Sequence, residues 1–245
     1  MASPLDPKKR RVVLTGASGY IAQRMFSELD ARWDLVPIDV RPTTRAGQTV
    51  PRLVVADLTQ PNRDAYREHF RGADAVIHCG YVSGQGLDAT TWQNNSDAKF
   101  WLEHQNVALA YNVYRTALEE GVRRVVVASS NHAADYYERL IWAGHLEMVT
   151  PEMPHRSDNW YGWAKAAYEL LGFVFATGQV DGKRLEVVQW RIGGPATTTS
   201  TTSRPATSRS CTGRWAPISP AATRCSRPSA WSRRRTSRTS TACPS

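Results

Sequence analysis

A glycine-containing turn between an apolar run and a helical pattern constrains the fold of this chain more than any other feature. Val12-Val13-Leu14 reads as a buried strand and runs into Thr15-Gly16-Ala17-Ser18-Gly19-Tyr20-Ile21-Ala22. Gly16 and Gly19 permit a sharp turn and a close backbone approach, and Ala22 is small where a helix must pack on the strand. Apolar residues at 21, 25, 26 and 29 then have the spacing of an amphipathic helix. Its unpaired N-terminal N–H groups would face a phosphate, so the turn predicts a dinucleotide site.

A carboxylate follows at the distance that such a fold requires. Leu35–Asp39 reads as a second strand, and Asp39 lies 23 residues after Gly16. An acid there accepts hydrogen bonds from the adenosine ribose hydroxyls. Because a carboxylate repels a 2′-phosphate, NAD is favoured over NADP, although Arg41 would weaken that preference. A solvated turn acid is the alternative interpretation of Asp39.

Further apolar runs alternate with helical patterns along the chain. Strands are predicted at 53–56, 75–80, 125–128 and 185–192, and helices around 65–70, 100–120 and 160–177. This alternation predicts right-handed βαβ crossovers and a Rossmann-like, doubly wound parallel sheet in three α/β/α layers. The strand ends would then share one crevice, the place where open α/β sheets bind ligands.

Two residues of the last predicted helix have the spacing of a proton-transfer pair. Tyr161 and Lys165 are four residues apart, which places both on one helix face. An ammonium beside a phenol lowers the phenol's pKa and makes the phenolate available as a base. Chance spacing of a tyrosine and a lysine is the alternative, and the pattern N-terminal to the pair argues against it.

Composition excludes several classes of protein. Apolar residues make up 41% of the 245-residue chain, enough for a substantial core, and no run approaches the length of a membrane span. No apolar stretch of a secretion signal follows the N-terminus. The four cysteines lack C-x-x-C spacing, so we expect neither a metal site nor a disulfide framework. A cytoplasmic protein is the expectation.

The last fifth of the chain differs abruptly from the rest. Residues 196–245 contain 22 Ser or Thr, nine Arg and no Asp, Glu or Lys, so the net charge of +9 lies there. A nucleic-acid partner is therefore not indicated by the body of the chain. We divide the chain into a dinucleotide-binding domain at 1–195 and a low-complexity basic tail at 196–245, expected to be disordered. The composition favours an out-of-frame reading of a GC-rich gene over a linker or an anion-binding tail.

With these elements placed, the sequence resembles the extended short-chain dehydrogenase/reductases, also called NAD-dependent epimerase/dehydratases. The resemblance covers about residues 1–195, and within the family it is most similar to the uronate dehydrogenases. The residues that carry it are the glycine turn 16–22, Asp39, Asp57-Leu58, Val76-Ile77-His78, Ser83, Ser129 to His132, Tyr161, Lys165 and Arg191-Ile192-Gly193.

The resemblance implies a role for each candidate residue. Tyr161 would be the general base, Lys165 would bind the nicotinamide ribose and lower the Tyr161 pKa, and Ser130, rather than Ser129, would hold the substrate oxygen. Substrate contacts would come from Ser83, Ser130, Asn131 and His132. NAD contacts would come from Gly16, Ser18, Gly19, Tyr20, Ile21, Asp39, Asp57, Leu58, Gly80, Lys165 and Ile192. Strand-end caps for the serines and a structural role for His132 are the alternatives.

The implied reaction is oxidation of a hydroxyl or hemiacetal of a sugar acid or similar polyol. A nucleotide-sugar epimerase or dehydratase that retains NAD, and a non-catalytic dinucleotide-binding protein, are the alternatives. The resemblance also suggests a homodimer through the helices at 100–120 and 160–177. The sequence departs from the uronate dehydrogenase pattern in two ways. Gly194 stands where those enzymes have a substrate-binding serine, and no recognisable substrate-binding region follows it. We therefore expect NAD binding to outlast turnover in this chain.

Overall fold

Six parallel strands and one antiparallel strand form a single sheet at the centre of the chain. The computed structural model describes residues 9–84, 95–193 and 212–214. The strands are β1 Arg11–Thr15, β2 Asp34–Asp39, β3 Val54–Val55, β4 Ala75–His78, β5 Arg124–Ser130, β6 Glu186–Ile192 and β7 Thr212–Arg214. They are arranged in the order β3-β2-β1-β4-β5-β6-β7. This order reverses between β1 and β4, as in the predicted doubly wound fold.

Within the described ranges, four α-helices connect or flank the strands: α1 Tyr20–Arg32, α2 Ser96–Glu119, α3 Glu138–Trp142 and α4 Trp160–Ala176. The helix predicted at 65–70 is wrong, because this segment forms two 3₁₀ turns, Arg63–Ala65 and Arg67–Phe70. Tyr66 and Phe70 are both fully buried. Two anchors four residues apart can be buried by short turns, and a segment of that length gains little from an α-helix.

The core has two parts, one on each face of the sheet. Val13 points into a cluster that also contains side chains of α2 and α4. Val12 and Leu14 point the other way, into a cluster with Phe26 of α1. Alternate residues of a strand face opposite sides, so β1 is covered on both faces. The three-layer arrangement confirms the predicted fold class.

The segment after residue 195 is described only at β7, which pairs antiparallel with β6. An added strand satisfies outward-facing backbone groups of β6. The rest of this segment, and with it the predictions of disorder and of an out-of-frame reading, lies outside the described residues, as does Gly194. In the described ranges, no helix combines the length and the apolar character needed to span a membrane.

Candidate active site

The carboxyl ends of the parallel strands border a cavity of about 880 Å³. All but one of the predicted site residues line it. These are Gly16, Gly19, Tyr20, Ile21, Asp39, Asp57, Leu58, Gly80, Ser83, Ser130, Asn131, His132, Tyr161, Lys165 and Ile192. Residues separated by up to 176 positions in sequence therefore meet in one site.

The glycine turn is built for close approach at one end of this cavity. Gly16 has a φ of +70°, and a Cβ on it would lie 2.5 Å from the backbone nitrogen of Gly80, so the β1 turn packs directly on the end of β4. Gly19 precedes α1 without a side-chain cap, and the first turn of α1 contains no acidic residue. The first N–H groups of α1 are therefore available to an anion. This end of the cavity fits the pyrophosphate of a dinucleotide.

Asp39 lies beside the turn with its carboxylate fixed by the backbone. Its Oδ2 accepts the Ser18 N–H and its Oδ1 accepts the Arg41 N–H, each at 3.0 Å. Each oxygen has a second lone-pair site, so Asp39 retains capacity for ribose hydroxyls. Arg41 and Arg45 also line the cavity.

Ser18 is the predicted site residue that does not line the cavity. Its hydroxyl donates to the Arg41 carbonyl at 2.6 Å, and the residue is buried. This hydrogen bond directs the short side chain away from the cavity and ties the glycine turn to the segment that follows β2. Ser18 therefore stabilises the site without contacting the cavity.

The two adjacent serines at the end of β5 face different partners. Ser129 Oγ donates to Glu169 Oε1 at 2.6 Å. Glu169 also accepts hydrogen bonds from His155 at 2.7 Å and from Arg191 at 2.9 Å. These hydrogen bonds outweigh burial and lower the pKa of Glu169 to about 2. Ser129 thus belongs to a buried ionic network.

Ser130 lies at the cavity surface next to Tyr161. Its hydroxyl accepts the His132 N–H at 3.2 Å and thereby caps the 3₁₀ turn Asn131–Tyr137. The same hydroxyl interacts with the Tyr161 phenol and lowers that phenol's pKa. Ser130 therefore both caps the 3₁₀ turn and lies beside Tyr161.

His132 contacts Tyr161 from the same 3₁₀ turn. Its ring packs edge-to-face on the Tyr161 ring with 5.4 Å between centroids, and its Nδ1 lies 2.7 Å from Asp135.

The N-terminus of α4 sets the position of Tyr161. Asn159 caps the helix, since its Oδ1 accepts the Gly162 N–H at 2.9 Å. Gly162 lies so close to the loop before it that an added Cβ would overlap Ser157 Oγ and the His132 carbonyl. Tyr161 is consequently held where α4 meets the end of β5.

Lys165 is buried one turn further along α4. Its Nζ donates to the Ala128 carbonyl at 3.1 Å and lies 4.4 Å from the centroid of the Tyr168 ring and 5.8 Å from that of Tyr161. Burial lowers the pKa of Lys165 to about 8, against the charge of Glu103, which raises it. An ammonium has three protons, so Lys165 can also donate to ligand hydroxyls.

The pKa of Tyr161 differs from the expectation. Burial raises it, Ser130 lowers it in part, and the negative charge of Glu103 raises it further. The predicted lowering by Lys165 is not among these effects; the Lys165 ammonium donates to the Ala128 carbonyl and lies over the Tyr168 ring.

Sequence reasoning missed Glu103 and Tyr81. Glu103 is 4% exposed in α2, and its Oε1 accepts the Tyr81 hydroxyl at 2.5 Å. The Tyr81 ring packs on Tyr161 at 89°, with 5.6 Å between centroids. Glu103 lies one turn before Asn106, which bonds the backbone of Val82. The sequence did offer one signal: Glu103 is a charged residue on the apolar face of the helix predicted at 100–120.

The strand order reverses between β1 and β4, next to the glycine turn. Together, this fold and this site define a dinucleotide-binding α/β protein. Within the described residues, no group of three His, Cys, Asp or Glu side chains could hold a metal ion.

The chain belongs to the NAD dependent epimerase/dehydratase family, whose family model matches residues 12–178. It is 32% identical over 189 residues to an L-arabinose 1-dehydrogenase (NAD(P)(+)) of Haloferax volcanii, an alignment that covers 75% of this chain and 66% of the relative. It is 28% identical over 185 residues to a uronate dehydrogenase of Pseudomonas putida, covering 75% of this chain and 60% of the relative. Thus the chain spans less than two thirds of the length of these relatives.

A solved structure of MoeE5 in complex with UDP-glucose and NAD is also similar. It superposes with a TM-score of 0.53 at 26% identity, covering 72% of this chain and 52% of MoeE5.

Proposed function

We propose that this chain binds NAD and catalyses oxidation of a hydroxyl or hemiacetal of a sugar acid or similar polyol. One observation carries the proposal: Tyr161, Ser130 and Lys165 line the same cavity as the glycine turn and Asp39. NAD, when bound, accepts the hydride that leaves the substrate carbon. The family description and the dehydrogenase relatives support this assignment.

The chain's own residues account for binding. The N-terminus of α1 and Gly16 hold the pyrophosphate, and Asp39 holds the adenosine ribose. Lys165 donates to the nicotinamide ribose. Further cofactor contacts come from Ile21, Asp57, Leu58, Gly80 and Ile192, all at the cavity surface.

Proton transfer is assigned to Tyr161. Its phenolate takes the proton of the substrate hydroxyl, and Ser130 holds the substrate oxygen beside it. Ser83, Asn131 and His132 are placed to contact the remaining substrate hydroxyls or carboxylate. Because burial raises the Tyr161 pKa, we expect the rate of oxidation to rise with pH.

Tyr161→Phe tests this assignment. Loss of a general base should lower turnover by about 10²–10⁴-fold while NAD affinity, measured by calorimetry, stays within about twofold. Tyr111→Phe on the exposed side of α2 is the matched control. Turnover that survives in Tyr161→Phe would remove the tyrosine from the mechanism.

A nucleotide-sugar epimerase or dehydratase is the second candidate, supported by the likeness to MoeE5 with UDP-glucose and NAD. The near-ultraviolet absorbance of NADH separates the two candidates. Accumulation of NADH with free uronates or aldoses supports the dehydrogenase. Conversion of a nucleotide sugar without net NADH supports the second candidate, and NAD binding with no conversion of either supports a non-catalytic protein.

A homodimer through α2 and α4 is part of the proposal. The two helices pack together and expose apolar side chains, among them Trp101 at 61% and Leu170 at 58%. Light scattering of the native chain should give the mass of a dimer. Leu170→Glu should give the mass of a monomer, whereas the control Leu140→Glu on α3 should remain a dimer. A native chain of single mass would contradict the dimer.

A further inference from the structure

A buried carboxylate behind Tyr161 and Lys165 has no part in the mechanism above. Glu103 of α2 lines a second cavity, which shares Tyr81 and Tyr161 with the cofactor cavity. Its Oε1 accepts the Tyr81 hydroxyl at 2.5 Å, and its Oε2 lies 3.4 Å from Asn106 Nδ2. Glutamate is rarely buried to this degree unless it is paired with an opposite charge.

Lys165 supplies the opposite charge. Its Nζ lies 5.3 Å from the centroid of the Tyr81 ring, the same ring whose hydroxyl bonds Glu103. Lys165 is 5% exposed, so its charge is also costly without a nearby anion. One tyrosine therefore stands between a buried anion on α2 and a buried cation on α4.

The other titratable groups around Lys165 are either neutral or already paired. Glu169, one turn further along α4, is paired with His155 and Arg191. Burial lowers the pKa of His78 to about 3 and raises that of Cys79 to about 12. Burial likewise raises the pKa values of Tyr81, Tyr161 and Tyr168. His132 and Asp135 pair with each other on the far side of Tyr161. Burial raises the pKa of Glu103 as well, whereas the Tyr81 and Asn106 hydrogen bonds and the charge of Lys165 lower it. Among the described groups that raise the pKa of Lys165, Glu103 is the carboxylate.

We propose that Glu103 is the buried counter-ion of Lys165, a positioning residue that keeps the ammonium charged at the wall of the cofactor cavity. Its effect passes through Lys165 and Tyr161, because Tyr81 and Asn106 occupy its own oxygens. It rests on the proposed role of Lys165 in NAD binding. A charged amine donates stronger hydrogen bonds to ribose hydroxyls than a neutral one does.

The titration of Lys165 tests the pairing without substrate or NAD. The chain has five lysines, so lysines labelled with ¹³C at the ε-carbon give a simple NMR spectrum, and Lys165→Met assigns the Lys165 signal. In the native chain this signal should titrate with a midpoint near 8. In Glu103→Gln the midpoint should fall by about one pH unit or more. An unchanged or higher midpoint would overturn the pairing.

Two variants separate charge from packing. Tyr81→Phe keeps both the carboxylate and the ring, so the Lys165 midpoint should stay near its native value; an equal fall there would assign the effect to Tyr81 instead. Glu147→Gln, at an exposed position, is the control for loss of a carboxylate. If the amide in Glu103→Gln disrupts folding, Glu103→Met repeats the measurement with a side chain of similar volume.

Activity gives a second readout. Removal of the Glu103 charge should also lower the Tyr161 pKa, so the rising limb of the pH–rate profile moves to lower pH. A purely structural role would lower the rate without moving the limb. Failure of the proposed dehydrogenase activity would leave the NMR result intact, so the two proposals can fail separately.

Discussion

Ser129 Oγ donates to Glu169 Oε1 at 2.6 Å, which removes Ser129 from the cavity chemistry and leaves Ser130 beside Tyr161. Two neighbouring residues of one strand point to opposite faces, so one serine can serve the core network and the other the site.

The two serines give a matched pair of substitutions. Ser130→Ala should lower turnover by about 10²-fold or more, because a donor to the reacting oxygen is lost. Ser129→Ala should lower the melting temperature and leave turnover within a few-fold of native, measured with the same substrate. Equal losses of turnover in both variants would contradict the assignment.

Asp39 should control the choice of dinucleotide. Loss of a charged acceptor costs about 1.5–3 kcal/mol, so Asp39→Asn should weaken NAD binding by about 10–100-fold. NADP should lose less or gain, because Arg41 lies next to Asp39 and lines the cavity with Arg45. Calorimetric titration with both cofactors measures the ratio, and Asp34→Asn at the other end of β2 is the control. A variant that binds both cofactors as the native chain does would exclude Asp39 from the site.

Gly162 should tolerate no side chain. A Cβ there overlaps Ser157 and the His132 carbonyl, so Gly162→Ala should cost about 1–3 kcal/mol of stability and displace Tyr161. Gly193→Ala is the control, because a Cβ on Gly193 meets no atom of the described residues within 4 Å. Denaturant unfolding of both variants measures the difference. Equal stability of the two would mean that the α4 N-terminus is less tightly packed than described.

The ionised Glu169 carboxylate should make the free energy of unfolding depend on pH in the acid range. Its folded pKa of about 2 lies below the ordinary 4.5, a gap worth about 3 kcal/mol. This stabilisation is fully present above pH 4.5 and is lost as the pH falls toward 2. Glu169→Gln should therefore be less stable at neutral pH, and its deficit should shrink in acid. Unfolding curves across this range, with exposed Glu147→Gln as reference, check the sign; a deficit independent of pH would contradict the network.

Local patterns were sufficient to predict the strands and the cofactor end of the site. The Gly16 turn and Asp39 belong to one βαβ unit, where spacing along the chain fixes spacing in the fold. Tyr161 and Lys165 share a helix face for the same reason. Their roles remain predictions.

Long-range partners could not be read from the sequence. The Glu103–Tyr81 and Glu169–Arg191 contacts each join elements that are more than 20 residues apart, and no local period encodes them. The direction of the Ser18 side chain likewise depends on Arg41, which belongs to the next strand connection. The helix predicted at 65–70 failed because burial of Tyr66 and Phe70 does not require an α-helix.

The direct packing of Gly16 on Gly80 joins the ends of β1 and β4, the two strands at which the two halves of the sheet meet. A dinucleotide bound across this junction would contact β2 at one end and α4 at the other, and so would hold the two halves of the sheet together. Ligand at a hundred times its dissociation constant adds about 2.7 kcal/mol to a folded state that binds it. Resistance to proteolysis should then increase on both sides of the junction at once, from β1 through β6.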